Sequence, residues 1–330
     1  MTKYVVLGSN SFSGQDFVDL LLDEQEREVI GVSRSEERPD FLLRYKSRAK
    51  LDCFRFYKFD MNNDIEPLLA FLDSEQPNYI VNFAAQSEVG PSWIYPEHWF
   101  QTNTVALAKM VNHLRQKSYL ERYIHISSPE VYGNCVGTIR EDAALNPSTP
   151  YAASKAAADM LLDVYRKEYG FPLLSVRATN VYGARQQLFK IILRTMIYLR
   201  KGKTIQLHGG GTAIKSYIHI RDVSRGELAV LDRGNIGELY HLSPDSGVSI
   251  RELVAMICGI FGKEFKDCVE FVDERPGQDA AYVIDSTKVR DTLGWSPEIS
   301  LKEGIADAVA WVEENWSSIE AYPIDYIHKV

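Results

Sequence analysis

The tightest constraint on this chain lies within its first two dozen residues. An apolar run at residues 4–7 leads into Gly8-Ser-Asn-Ser11-Phe-Ser-Gly14, and helical spacing follows over residues 15–22. A strand that turns through glycine into a helix exposes the first amide groups of that helix. Together with the helix dipole, those amides make a seat for a pyrophosphate. β-Branched runs at 28–32, 54–59, 79–83, 123–127 and 173–177 alternate with helical patterns at 66–73, 100–115 and 151–169. This rhythm specifies an α/β fold, a Rossmann-type doubly wound parallel sheet with helices on both faces. After about residue 178 the rhythm breaks into a long helix at 185–201, a triple-glycine loop at 209–211 and short elements separated by Pro and Gly. A smaller C-terminal α/β substrate-binding lobe is expected there. The dinucleotide-binding domain is expected over residues 1–178, with 216–241 returning to it, and the second lobe over 179–215 and 242–330.

Composition narrows the function classes. The 330 residues carry a formal charge of -8 and no run of Lys and Arg, which disfavours nucleic acid as a partner. No apolar stretch approaches the ~20 residues of a membrane span, so no membrane partner is expected and a cytoplasmic location is. The four cysteines form no CxxC pair and have no His cluster beside them, so no metal site is expected.

The glycine turn assigns Gly8, Asn10, Ser11, Phe12, Ser13 and Gly14 to the cofactor, with Ser11 standing where such loops place their middle glycine. The second strand ends Val32-Ser33-Arg34, without the carboxylate that usually holds the adenosine ribose of NAD. Ser33 and Arg34 could hold a 2′-phosphate instead, which leans the choice between NADP and NAD towards NADP. Asp60 and Met61, after the third strand, are placed at the adenine. Phe83, Ala84 and Ala85, after the fourth, lie where a cofactor must pass close to backbone.

Tyr151-Ala-Ala-Ser-Lys155 puts a phenol and an ammonium on one helix face. A phenol with its usual pKa of ~10 is a poor base at neutral pH, and a cation beside it would lower that value. Ser127-Ser128-Pro-Glu130-Val-Tyr-Gly133 follows the fifth strand at its carboxyl end, where Ser128 and Tyr151 would grip one substrate hydroxyl.

On these motifs the chain resembles the extended short-chain dehydrogenase/reductases, in particular the nucleotide-sugar 4,6-dehydratases, epimerases and decarboxylases. The similarity includes Asn103, Arg177-Ala-Thr-Asn180-Val-Tyr-Gly183, Ser216-Tyr-Ile-His-Ile-Arg-Asp222 and Asp273-Glu-Arg275-Pro-Gly277. The resemblance implies a tightly held NADP or NAD contacted also by Asn103, Tyr151 and Lys155, and a nucleotide-diphosphate sugar as substrate. Asn180, Lys215 and Arg275 would meet the nucleotide, Leu207 and His208 would flank its base, and Gln86, Ser87 and Glu88 would line the sugar pocket. Glu130 holds the position of the dehydratase residue that removes the C5 proton. Pro129 stands where many dehydratases carry the Asp that protonates the leaving hydroxyl, and proline cannot donate a proton. A 4,6-dehydratase with Ser128, Glu130, Tyr151 and Lys155 as its catalytic set is therefore the leading expectation. A 4-epimerase, a uronate decarboxylase and a non-catalytic cofactor-binding module are the alternatives. The resemblance also implies a homodimer, paired through helices at 100–115 and 152–169.

Overall fold

The computed structural model describes residues 1–24, 26–134, 138–273 and 281–329, with backbone alone at 281 and 282. The first half runs β1 (Thr2–Leu7), α1 (Phe12–Leu21), β2 (Arg27–Ser33), β3 (Phe54–Lys58), α2 (Ile65–Glu75) and β4 (Tyr79–Asn82). It continues through α3 (Val89–Ser92), α4 (Pro96–Phe100), α5 (Leu107–Leu114), β5 (Arg122–Ile126), α6 (Pro150–Tyr169) and β6 (Leu173–Ala178). Then come β7 (Asn180–Tyr182), α7 (Ile191–Arg200), β8 (Ile205–His208), β9 (Ile214–Lys215), β10 (Tyr217–His219), α8 (Ile220–Arg233) and β11 (Leu239–Leu242). Helices α9 (Ile250–Ile260), α10 (Phe265–Cys268), α11 (Thr287–Leu293), α12 (Leu301–Glu314) and α13 (Trp316–Ala321) complete the part used below.

Seven strands form one parallel sheet in the order β11-β6-β5-β4-β1-β2-β3. Strand order reverses between β4 and β1, which opens a crevice at the carboxyl edge between them. Strands covered on both faces read as continuous apolar runs, and Val5, Val6, Ile80, Val81 and Ile124 have no exposed surface. Phe17 and Val18 of α1 and Val223, Val230 and Leu231 of α8 cover one face. Leu68 and Leu72 of α2, Met110, Val111 and Leu114 of α5, and Ala158 and Leu162 of α6 cover the other. A separate core joins α7, α9 and α12 through Ile192, Met196, Val254, Ile257, Ile305 and Val312. Ser249–Glu252 and Ser300–Glu303 capping boxes start α9 and α12.

The second half also contributes to the sheet, since β11 pairs with β6 and α8 packs between β11 and α1. Two helices differ from the sequence expectation. The one expected at 185–201 begins only at Ile191, because Arg185 adopts φ 72° and Gln186 Nε2 donates to the Val181 carbonyl at 2.7 Å. The one expected at 100–115 is α4 and α5 joined by a π-helical turn, Gln101–Ala106. Among the described residues no helix is long and apolar enough to cross a membrane, and no cluster of His, Cys, Asp and Glu could hold a metal ion.

Gly226 sets how closely α8 approaches the sheet edge. A Cβ there would lie 2.7 and 2.8 Å from the Leu242 methyls and 3.0 Å from the Trp295 ring. Gly226→Ala should therefore overpack this contact and cost ~1–3 kcal/mol, read as a lower urea midpoint with an unchanged slope.

Candidate active site

The glycine turn after β1 is built for close backbone approach. Gly8 has φ +80°, and a Cβ on it would sit 2.7 Å from the Ala84 amide nitrogen. A Cβ on Gly14 would fall 2.3 Å from the Gly8 carbonyl oxygen. Ser11 caps α1, its hydroxyl accepting from the Gly14 amide at 3.0 Å. Phe12 is buried and Ser13 half-buried beside it. The Asn10 amide donates to Ser33 Oγ at 2.9 Å, and its side chain donates to the Ser35 and Glu36 carbonyls at 3.0 and 2.8 Å. Ser33, read from the sequence as a contact to a 2′-phosphate, thus also braces the turn. Arg34, at the rim, donates to the Lys329 carbonyl at 3.4 Å. A tight turn with glycine at both ends, at the switch point of the sheet and heading a helix, fits a dinucleotide pyrophosphate.

Other residues assigned to the cofactor have local partners. The Asp60 carboxylate accepts from the Asn62 amide at 2.9 Å and from Asn63 Nδ2 at 3.0 Å, so it shapes the turn before α2. Met61 is buried in the core under α2, and Phe83 packs on Phe17 with ring centres 5.6 Å apart. Ala84 and Ala85 are half-buried, and the Ala84 amide donates to Asn82 Oδ1 at 3.0 Å. Asn103 has its carboxamide engaged: it accepts from the Gln86 amide at 2.8 Å and donates to the Gln86 carbonyl at 3.0 Å and Ser154 Oγ at 2.9 Å. Asn103 therefore holds the segment after β4.

The catalytic candidates meet beyond β5. Ser128 caps the short turn Pro129–Tyr132 and accepts from the Glu130 amide at 3.2 Å. Thr149 caps α6, so Tyr151 stands in its first turn, buried and within electrostatic reach of Ser128. Burial pushes the Tyr151 phenol above its ordinary value; Glu130 adds to the rise and Ser128 opposes it. The sequence suggested that Lys155 would lower it. Instead the Lys155 ammonium donates to the Ile126 carbonyl at 2.7 Å and to His125 Nε2 at 3.2 Å, at the end of β5.

A buried polar network surrounds that ammonium. Asp159 Oδ2 accepts from Ser127 Oγ and from Arg177 Nη2, each at 2.6 Å, while its Oδ1 lies 3.5 Å from His125 Nε2. Arg177 also donates to the Tyr132 hydroxyl, which donates to His241 Nε2 at 2.8 Å. Burial lowers Lys155 to about 8, Asp159 opposes that shift, and Arg177 adds to it. His125 is held well below the usual imidazole range by burial, then by Lys155 and Arg177, which keeps it neutral. Sequence reading missed Asp159, although Tyr151, Lys155 and Asp159 recur every fourth residue along one face of α6.

A cavity of about 250 Å³ opens beside this group, with Ser128, Pro129 and Glu130 on one side and Asn180, Lys190 and Tyr217 on the other. Glu88 binds Lys190 at 2.8 Å and so links the segment after β4 to the turn before α7. No pattern pointed to Lys190, which comes to the cavity only through the turn that shortens α7. Gln86 is buried, and Ser87 beside it is exposed. Asn180 donates to the Ser216 carbonyl at 3.3 Å, and Lys215 is buried close by in sequence. Leu207 turns into the core of α7 and α9, since alternation along β8 sends its side chain inward, so it does not flank a base. His208 Nδ1 donates to the Asp273 carbonyl at 2.8 Å. Arg275 lies outside the described residues.

The comparisons with known proteins agree with this arrangement. The model of the GDP-mannose 4,6 dehydratase family matches residues 5–308. A trifunctional UDP-glucose 4,6-dehydratase/UDP-4-keto-6-deoxy-D-glucose 3,5-epimerase/UDP-4-keto-L-rhamnose-reductase of Arabidopsis thaliana is 31% identical over 267 residues. That stretch is 79% of this chain and 40% of the plant protein, so the chain spans less than half of that relative. The dTDP-glucose 4,6-dehydratase of Haemophilus influenzae is 27% identical over 96% of this chain and 100% of its own length. Among solved structures, the dTDP-glucose 4,6-dehydratase DesIV of Streptomyces venezuelae, with NAD bound, superposes with a TM-score of 0.87. It is 28% identical and aligns over 96% of this chain and 98% of its own. With a doubly wound sheet, a glycine turn at its switch point and a family match across 5–308, the chain belongs to the GDP-mannose 4,6 dehydratase family.

Proposed function

We propose that the protein is an NAD(P)-dependent nucleotide-sugar 4,6-dehydratase, which converts an NDP-hexose to an NDP-4-keto-6-deoxyhexose with loss of water. The observation that carries this reading is Glu130, a carboxylate in the cavity wall next to Ser128 and near enough to Tyr151 to raise its phenol. Ser128 and Tyr151 hold the C4 hydroxyl, and Tyr151 takes its proton as C4 is oxidised. The resulting C4 ketone acidifies the C5 hydrogen, and Glu130 removes it as a proton. Pro129 has no proton to give, so Glu130 passes the one it has just received to the departing C6 hydroxyl, which leaves as water. A nicotinamide, when bound, would supply the hydride acceptor for C4 and the donor for C6. C5 then regains a proton from Glu130, recharged from solvent, while Tyr151 releases the C4 hydroxyl proton to solvent.

Gly8, Gly14 and the amides heading α1 would hold the pyrophosphate. Arg34 is the group left at the rim for a 2′-phosphate, and the Streptomyces neighbour holds NAD, so the proposal covers both dinucleotides. Asn180, Lys215 and Arg275 are the proposed contacts to the nucleotide, with Gln86, Ser87 and Glu88 beside the sugar. A second reading, 4-epimerase, is favoured by Pro129 alone.

The two readings separate in deuterated water. A dehydratase incorporates deuterium at C5 of a 6-deoxy-4-keto product, and Glu130→Gln should stop water loss while leaving oxidation at C4. A C4 epimer without solvent deuterium would refute the dehydratase.

Lys155 sets an expected pH dependence. Its value in the folded protein, about 8, lies below the ordinary 10.5, so the positive charge Lys155 adds to the buried network beside Tyr151 is lost as pH rises through about 8. The rate constant kcat/KM should decline over that range. Asp159 favours the charged form, so Asp159→Asn should move the decline to lower pH, by on the order of one unit. A profile that does not move would separate Asp159 from the chemistry.

A cytoplasmic homodimer is part of the proposal. Phe100, Val105, Met160, Val164 and Tyr169 expose apolar surface along α4, the π-helical turn and α6. Light scattering should give twice the 37.5 kDa of one chain, and Val164→Asp should halve it.

A further inference from the structure

Residues 322–329 lie beyond the stretch that the family model matches, yet they return to the crevice. Tyr322 packs edge-on against Phe41 with ring centres 5.6 Å apart, and Tyr326 packs edge-on against Phe189 at 5.5 Å. The His328 ring lies parallel to Tyr95 at 5.0 Å and to Trp99 at 5.5 Å, with interplanar angles of 4° and 3°. His328 Nε2 is 2.9 Å from His98 Nδ1, and its Nδ1 is 3.0 Å from the Tyr326 hydroxyl. The Lys329 carbonyl accepts from Gln86 Nε2 at 2.7 Å and from Arg34 Nη1 at 3.4 Å.

Those last two donors locate the segment. Arg34 follows β2 and Gln86 follows β4, and these strands flank β1 on either side. A carbonyl bonded to both therefore bridges the carboxyl end of β1, where the glycine turn begins. At the other side, Phe189 precedes Lys190 of the substrate cavity. The segment thus crosses the mouth of the crevice from the turn before α7 to the rim of the sheet. From Tyr326 onward its polar partners are the side chains of Arg34, Gln86 and His98, and its ring partners are Tyr95, His98, Trp99 and Phe189. The two bonds of the Lys329 carbonyl, one to each rim, are what place the segment across the end of β1, where the glycine turn seats a pyrophosphate.

We propose that residues 326–329 form a strap over the dinucleotide, an outer wall that His328 anchors and Lys329 ties to both rims, and that it must lift before cofactor can leave. The identity of the ligand rests on the function proposed above; the strap itself rests on the contacts just given. Loss of the strap should speed release without altering the chemistry, as expected of a closing segment.

The test uses the full chain, a variant ending at Ile324, which keeps the Tyr322 contact with Phe41, and His328→Ala. Each is loaded with NADH or NADPH, and release is followed by stopped-flow fluorescence, with circular dichroism confirming the fold. The shortened variant should release the dinucleotide about tenfold faster or more, the effect of losing one or two hydrogen bonds and a ring stack. His328→Ala should fall between it and the full chain. Unchanged release from both variants overturns the strap. Slower release or tighter binding also overturns it, since the segment would then compete for the seat. If the full chain binds neither dinucleotide, the functional reading falls and the strap falls with it; binding with unchanged release removes the strap alone.

Discussion

The active-site half of the molecule depends on a buried ion pair, Asp159 with Arg177. Removing two charges from water is costly, and such a pair is tolerated only where geometry and further hydrogen bonds compensate. Here Ser127 completes one side and Tyr132 the other, so the pair draws together α6, the ends of β5 and β6, and the turn that carries Glu130. Tyr132 extends the connection to His241 of β11, the strand contributed from late in the chain. Lys155 enters this group as a third charge, which is why its ammonium turns towards β5. The spacing between phenol, serine and carboxylate is set from beneath, by a pair that touches none of the three reacting positions proposed for the sugar.

The layout of the sheet was legible because parallel strands covered by helices are rich in apolar and β-branched residues, as the runs beginning near Tyr4, Glu28, Phe54, Tyr79, Tyr123 and Leu173 are. The glycine turn was legible for a similar reason: backbone contact at Gly8 and Gly14 excludes every other side chain. Side-chain direction was not. Tyr151 and Lys155 share a helix face, but which way the ammonium bends depends on His125 and the Ile126 carbonyl, 29 residues away or more. Ser33 was read as a contact to a 2′-phosphate, and the bond its hydroxyl accepts from the Asn10 amide was not legible in the sequence. The helix expected from Arg185 onward ignored a positive φ that residue type alone does not announce.

Long-range ties frame the cavity and the chain behind it. Glu88 reaches Lys190, and Tyr182 donates to the Ser300 and Leu301 carbonyls at the start of α12. Gly304 permits that approach, since a Cβ there would meet the Tyr182 hydroxyl at 2.2 Å. One ion pair therefore spans the cavity, while close backbone approach between Tyr182 and α12 braces the later half of the chain. A cavity framed in this way keeps its shape more through packing than through the strength of any single bond.

The π-helical turn at Gln101–Ala106 has a consequence of phase. Its hydrogen bonds reach one residue further than those of an α-helix, so the turn accommodates an additional residue. Each residue advances an α-helix by about 100°, so that addition rotates everything before it relative to α5. Trp99 faces His328, and Asn103 faces Gln86, only at this azimuth. The length of this stretch is consequently under tighter constraint than its composition. Exchanging residues along it would alter contacts one at a time, whereas losing a single residue would turn the whole face away from the crevice at once.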